Sequence, residues 1–459
     1  KRKIENPQKE KIFSVYPIKK GVATLAVPTI LSSLVMVLYN LADTFFVGML
    51  NDPIENAAVA LAGPLLLAFN AVNNLFGVGS SSLMSRSLGK KDYETVGKAS
   101  AFGFYGALFF GLVFSILCTV FRGPLLQLLG ADSTTINATN GYINWTVSLG
   151  AAPAILNVVM AYLVRSEGAA MHASIGTMSG CFLNIILDPI FILPWGLDMG
   201  AEGAGCATFL SNCAACIYFF VFLAVKKKET FISISPRKFT LERRVVSNVF
   251  IVGIPASIQN LLNVTGMTIL NNFTASYGAD AIAAMGISQK VNTVPMNISM
   301  GLSQGIMPLV SYNYASGDSK RMKDTIKFSM KTALIFLVLV AALFFIGSET
   351  VVGMFIGDEN VIAYGSRFLR GFCMGLPFLA VDFMAVGVFQ AVGMGKEALL
   401  FAILRKIALE IPALFILNWL MPLYGLAYAQ FTAEVILAIA AVVVLKRLFK
   451  KVEKRTQTF

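Results

Sequence analysis

Apolar runs long enough to cross a bilayer recur through almost the whole chain, with short connections between them. A helix needs about 20 apolar residues to span the hydrocarbon core. Inside that core only helices or closed barrels satisfy their own backbone groups. Twelve such spans are read, at 22–48, 57–79, 99–121, 141–163, 172–194, 203–225, 247–275, 281–306, 328–347, 361–390, 397–418 and 423–446. Charged residues make up 14% of the chain, against about 25% in soluble proteins. The expectation is an all-α polytopic membrane protein with twelve transmembrane helices.

Charge placement sets the orientation. Connections after odd-numbered spans hold a single basic residue, Arg122, beside Asp52, Glu55, Asp132, Asp198, Glu202, Asp280, Glu349, Asp358 and Glu359. Basic residues crowd the other side, with Lys226, Lys227, Lys228, Arg237, Lys238, Arg243 and Arg244 in one loop and a second group from Lys446 to Arg455. The positive-inside rule then predicts a multi-pass protein of the cytoplasmic membrane with both termini in the cytoplasm. The net charge of +12 is thus read as topology, and no nucleic-acid partner is expected. Residues 1–20 carry no apolar segment that would mark a cleaved signal peptide.

The two halves of the chain repeat each other. Val27-Pro28 is mirrored by Ile254-Pro255, 227 residues on, and Leu129-Gly130-Ala131-Asp132 by Ile356-Gly357-Asp358-Glu359 at the same offset. Leu149 to Pro153 and Gly203-Ala204-Gly205 have weaker counterparts at Met374 to Pro377 and Gly425-Leu426-Ala427. Six spans per half is an even number, so both halves enter the membrane from the same side. A parallel repeat implies two six-helix lobes related by a pseudo-two-fold along the membrane normal, an architecture suited to alternating access. The expected divisions are an N-lobe at 1–225, a cytoplasmic linker at 226–246 and a C-lobe at 247–459. Pro28, Pro153, Pro255, Pro295, Pro308, Pro377 and Pro412 lie inside spans, where each removes a backbone hydrogen bond and favours a kink.

Charged groups inside spans stand out because each costs about 2.5–3.5 kcal/mol to insert. Asp43 is the sole charge in the first span and Asp188 lies in the fifth. Both sit roughly 7–9 Å from the outer end of their helices, at 1.5 Å per residue. Asn184 and Asn40 share the helix faces of Asp188 and Asp43, and Thr208 begins the sixth span at a similar level. Two carboxylates in low dielectric cannot both stay ionised cheaply, so such a pair suits a proton or a hard cation such as Na⁺. The alternative is that each Asp is a satisfied interhelical acceptor. The second half is no copy of the first. It carries Lys290, Asp382, Arg405, Lys406, Glu410 and Glu434 inside spans. Glu410, one turn after Lys406, reads as its ion-pair partner, and Asp382 as the functional candidate. The six cysteines all fall in apolar spans. Cys213 and Cys216 form a CxxC without a second pair, far in sequence from the single histidine, His172, and read as small buried apolar residues.

These segments resemble the multidrug and toxic compound extrusion (MATE) family, in its bacterial branch. The matching stretches are Pro28 followed by Asn40-Leu41-Ala42-Asp43-Thr44-Phe45-Phe46-Val47-Gly48; Asn184-Ile185-Ile186-Leu187-Asp188-Pro189; Gly301-Leu302-Ser303-Gln304-Gly305 running to Ser311-Tyr312-Asn313-Tyr314; and Phe389-Gln390-Ala391-Val392-Gly393. The resemblance implies export of cationic lipophilic drugs and dyes, driven by inward Na⁺ or H⁺. It implies a cation site at Asp43, Asn184 and Asp188, with Asn157 and Thr208 as further ligands. It adds Asp382 as a coupling residue of the second half. Some family members place a Glu in the seventh helix, where this chain has Gln259-Asn260-Leu261-Leu262-Asn263. Gln259 and Asn263 are therefore its candidates there, and Asn40 and Gln390 are motif positions.

The expected function is a cation-coupled antiporter in which a cleft between lobes holds the drug against apolar and aromatic side chains. It is expected to be no enzyme, to need no cofactor beyond the transported Na⁺ or H⁺, and to act as a monomer in the bilayer. The competing transporter reading is a lipid-linked oligosaccharide flippase, which would be expected to line its cavity with arginines. The first six spans show none before Arg165. A membrane-embedded enzyme is disfavoured because the chain contains no HExxH. A passive channel is disfavoured because no filter sequence is visible.

Overall fold

The computed structural model describes residues 7–457, so the first six residues and the last two of the basic termini lie outside it. Helices are the only regular secondary structure among the described residues. A short helix, Pro7–Ser14, precedes twelve long helical segments, α1 to α12. These are α1 Ile18–Gly48, α2 Pro53–Gly89, α3 Tyr93–Val120, α4 Ile136–Ser148 with Ala151–Ser166, α5 Ala170–Ile192 and α6 Ala201–Val225. The second half has α7 Arg243–Ala275, α8 Ala279–Ser316, α9 Ser319–Ile346, α10 Glu359–Val392, α11 at 395–420 and α12 Gly425–Gln457.

Among the described residues, nine of these segments are long and apolar enough to cross a membrane unaided, and α4 qualifies as a span bent by 46°. The other two are α8 and α11. The first is 38 residues long with Pro295 and Pro308 inside it, and the second is broken into three pieces. Neither is among the helices long and apolar enough to cross unaided. The chain is a multi-pass membrane protein with the twelve helices expected.

Polar residues stop and start the helices at the connections. Asp92 caps α3 through Thr95, with its carboxylate accepting from the Thr95 hydroxyl at 2.6 Å. Asp318 caps α9 and Asp358 caps α10, each accepting from exposed first-turn N–H groups. Gly393 ends α10 at φ +82°, a left-handed conformation that glycine adopts without strain.

Two compact units are present, and they do not part where the repeat suggested. One holds residues 7–15 together with Leu31–Ser257. The other holds Tyr16–Ile30 and everything from Ile258 onward. The first part of α1 thus belongs with the second-half helices, and the first part of α7 with the first-half helices. Both transfers fall within three residues of a repeated proline, Pro28 or Pro255.

Small residues explain these memberships. In the second unit a methyl on Gly305 would lie 2.6 Å from Ala26 Cα. In the first unit Gly79 packs against Val249 and Gly253 against Leu75. Missing side chains let helix backbones touch, which is how helices gain contact in a solvent as apolar as they are. The 226–246 connection is likewise no free linker. Buried Glu167 accepts from the Thr230 hydroxyl at 2.7 Å and from Phe231 N–H at 2.9 Å, and Ser233 exchanges hydrogen bonds with Ser100.

Candidate functional site

Three helices of the first unit converge on one polar cluster. On α1, Tyr39 and Asp43 stand one turn apart. On α5, Asn184 and Asp188 do the same, both wholly buried. On α6, Thr208 and Ser211 share a face. The i, i+4 and i, i+3 spacings put each pair on one side of its helix. The Asp43 and Asp188 carboxyl groups lie within hydrogen-bond reach of each other. Asn184 donates to Asp188 Oδ2 at 3.3 Å, and its own Oδ1 accepts from Thr208 and Ser211 hydroxyls at 3.5 Å. Tyr39 lies beside Thr208, and Tyr142 of α4 lies beside both carboxyls.

Two carboxyls in contact can remain together only if they share a proton or a cation, because bare like charges in low dielectric repel strongly. One oxygen of each, Asp43 Oδ1 and Asp188 Oδ1, is buried with no hydrogen-bond partner in the protein. Buried acceptors are rarely left so. The donor set is all oxygen, from carboxylate, amide and hydroxyl, which fits a hard cation or a proton. Among the described residues no group of three or more His, Cys, Asp and Glu could hold a metal ion. A bound Na⁺ would therefore need neutral oxygens to complete its shell.

Of the sequence candidates, Asp43, Asn184, Asp188 and Thr208 are brought together. Asn157 is not joined to them by a hydrogen bond. Its amide donates to Pro153 O, Ala154 O and Asn212 Oδ1. Asn40 is on the exposed side of α1. Tyr39, Tyr142 and Ser211 complete the cluster and were not singled out from sequence. For Tyr39 the signal was available, since it precedes Asp43 by one helical turn.

The second unit has a separate buried cluster. Asp382 of α10 is 2% exposed and Glu434 of α12 is fully buried, and their carboxyls lie near enough to interact. Arg405 Nη2 is 2.5 Å from Glu434 Oε1, and its guanidinium stacks 4.7 Å from the Phe383 ring centre. Arg405 sits in a π-helical stretch of α11, Leu404–Glu410, a local insertion that often marks functional positions. Lys406 pairs with Glu410 at 2.8 Å, as the spacing predicted. Gln259 and Asn263 are half-buried on α7, and among the described residues no hydrogen bond joins them to Asp382. Gln390 lies in the last turn of α10, where its carbonyl accepts from Gly393 N–H.

Residues 301–305 also spell GxSxG, the pattern of a hydrolase nucleophile. They lie inside unbroken helix α8, where Ser303 Oγ donates to Phe383 O at 2.9 Å. A strand-to-helix turn, which that chemistry needs, is not formed there.

Comparison with known proteins agrees with the fold and the repeat. The sequence pattern of the MatE family matches residues 28–190 and again 255–416. The chain belongs to the MATE family. It is 34% identical over 434 residues to the multidrug export protein MepA of Staphylococcus aureus, covering 94% of each chain. The same identity and coverage hold for the MepA of Staphylococcus saprophyticus. A crystal structure of a MATE protein in complex with MaL6 is 24% identical, and the match covers 98% of this chain and 100% of that one at a TM-score of 0.91. That last likeness is one of fold.

Proposed function

We propose that this protein exports cationic, lipophilic small molecules from the cell in exchange for inward Na⁺ or H⁺, with the cation held between Asp43 and Asp188. The substrate class follows the multidrug export proteins that the chain resembles over 94% of its length. The cation role rests on one observation, the contact of two intramembrane carboxyls beside Asn184 and Thr208. An inward cation gains about 2.3 kcal/mol per charge per 100 mV of membrane potential.

For that energy to drive export, the cation must bind the outward- and inward-facing states with different affinity. Helix α1 offers a physical link. Asp43 is fixed in the first unit, while residues 18–30 of the same continuous helix belong to the second. A change in the Asp43–Asp188 contact on cation binding reaches residues 18–30 through the covalent backbone of α1, past the hydrogen bond that Pro28 removes. The Asp382–Glu434–Arg405 group is a second buried charge cluster on which the same cycle could act.

The test is dye efflux from proteoliposomes with Na⁺ and pH gradients imposed separately. One of the two gradients is expected to drive efflux in the native chain. Asp43→Asn is expected to remove gradient-driven efflux, with membrane insertion and yield unchanged. Native efflux rates in Asp43→Asn would remove the cation site from the mechanism.

A further inference from the structure

Where the 226–246 connection lies against α3, the first unit forms an aromatic slot of about 470 Å³, within the usual range of ligand pockets. One face of α3 supplies Phe102, Tyr105, Phe109 and Phe110, spaced as one helical stripe. Phe239 from the connection and Phe250 from α7 close it. The stripe covers about 12 Å along α3, running from the basic side of the membrane toward its middle. Phe109 is 63% exposed, so the slot opens sideways from the helices.

The roof of the slot is fixed and positively charged. Tyr105 Oη donates to Ile234 O at 2.5 Å. Lys238 N–H closes a turn onto Ser235 O at 3.0 Å, with Pro236 in its favoured second position. That turn sets Arg237 and Lys238 directly before Phe239, both exposed. The Lys238 side chain reaches back to α3 at Gly97, about a turn and a half before Phe102. The neighbouring charges are already matched, Lys98 with Glu94 and Glu242, and Arg244 with Glu242. Among the described residues Arg237 and Lys238 have no ion-pair partner.

We propose that this is a binding site for one anionic phospholipid of the adjacent leaflet. Its acyl chain lies in the aromatic slot, and its phosphate meets Arg237 and Lys238. Basic clusters at a membrane surface attract anionic headgroups at about 1 kcal/mol per residue. Here the turn fixes the backbone that carries both cations before the lipid arrives, which lowers part of the ordering cost of binding. Aromatic rings also attract cations. However, no carboxylate lines the slot, and its rim is cationic, which repels a lipophilic cation.

Lipid retention tests this without any ion gradient, so its outcome is independent of the transport reading. The full chain in detergent is titrated with phosphatidylglycerol or phosphatidylcholine of identical acyl chains, and bound lipid is counted by native mass spectrometry. One phosphatidylglycerol per chain is expected, preferred roughly ten- to thirtyfold over phosphatidylcholine. Arg237→Gln with Lys238→Gln is expected to lose that preference, and Phe239→Ala to weaken retention of both lipids. Monodisperse elution confirms that the variants fold. Equal retention of the two lipids by the native chain, or an unchanged preference in the Arg237→Gln/Lys238→Gln variant, overturns the proposal. Displacement of the lipid by equimolar tetraphenylphosphonium also overturns it and assigns the slot to lipophilic cations.

Discussion

Asp43 and Asp188 are costly residues to place in a membrane, and in the proposed exchange each relieves the other's cost by sharing a positive charge. Arg405 and Glu434 solve the same problem differently, by a buried ion pair with the Asp382 carboxyl beside it. Removing one partner of a buried pair leaves an uncompensated charge and costs about 3–5 kcal/mol. Arg405→Met is therefore expected to lower the thermal midpoint of the purified protein clearly. The double variant Arg405→Met/Glu434→Leu should recover most of the loss, and a double variant no more stable than the single would show that Arg405 acts through other contacts. Sequence made the Asp43–Asp188 pair legible because each acid stood alone in an apolar span at a matched level. The Arg405–Glu434 contact was not legible. Its partners come from different helices, and the π-helical stretch at 404–410 shifts the face on which Arg405 emerges.

At the scale of helices, glycine decides where backbones meet. Gly305 of α8 packs on Ala26 of α1, where a Cβ would stand 2.6 Å from a backbone atom. On the same α8 helix, Gly286 has nothing within 4 Å of such a Cβ. Gly305→Leu is expected to cost about 1–3 kcal/mol by overpacking, read as a lower midpoint in thermal denaturation. Gly286→Leu is expected to be tolerated, and equal loss in both variants would refute the packing argument. Prolines act at the same scale. Pro28 and Pro255 were visible as repeat positions, but a proline in a transmembrane helix does not by itself say which neighbours each half of the helix will join. That depended on which partner offered small residues at the right depth.

For the whole molecule, the uneven distribution of basic residues predicts that the 226–246 connection faces the cytoplasm and the Asp132 loop faces outward. The native cysteines all lie in the spans, so a cysteine-free background with a single probe is practical. Ser133→Cys is expected to react with an impermeant maleimide on intact cells, and Ser235→Cys only after permeabilisation. The reverse pattern would invert the orientation and with it the direction of the proposed exchange. The connection itself is shorter in effect than its length suggests, because Glu167, Ser100 and Tyr105 tie it down to the first unit.

Sequence alone determined the solvent, the helix count, the two-fold repetition of the chain and the two acids most costly to bury. These follow from composition and spacing, since backbone hydrogen bonding in lipid leaves helices almost no alternative. Tertiary structure alone decided which side chains touch. It joined Tyr39, Tyr142 and Ser211 to the paired acids and sent Asn157 to Asn212 instead. It also gave the first parts of α1 and α7 to the opposite units. Such contacts depend on helix rotation and close approach between distant segments, and these are set by packing of small residues that carries no periodic signal along the chain.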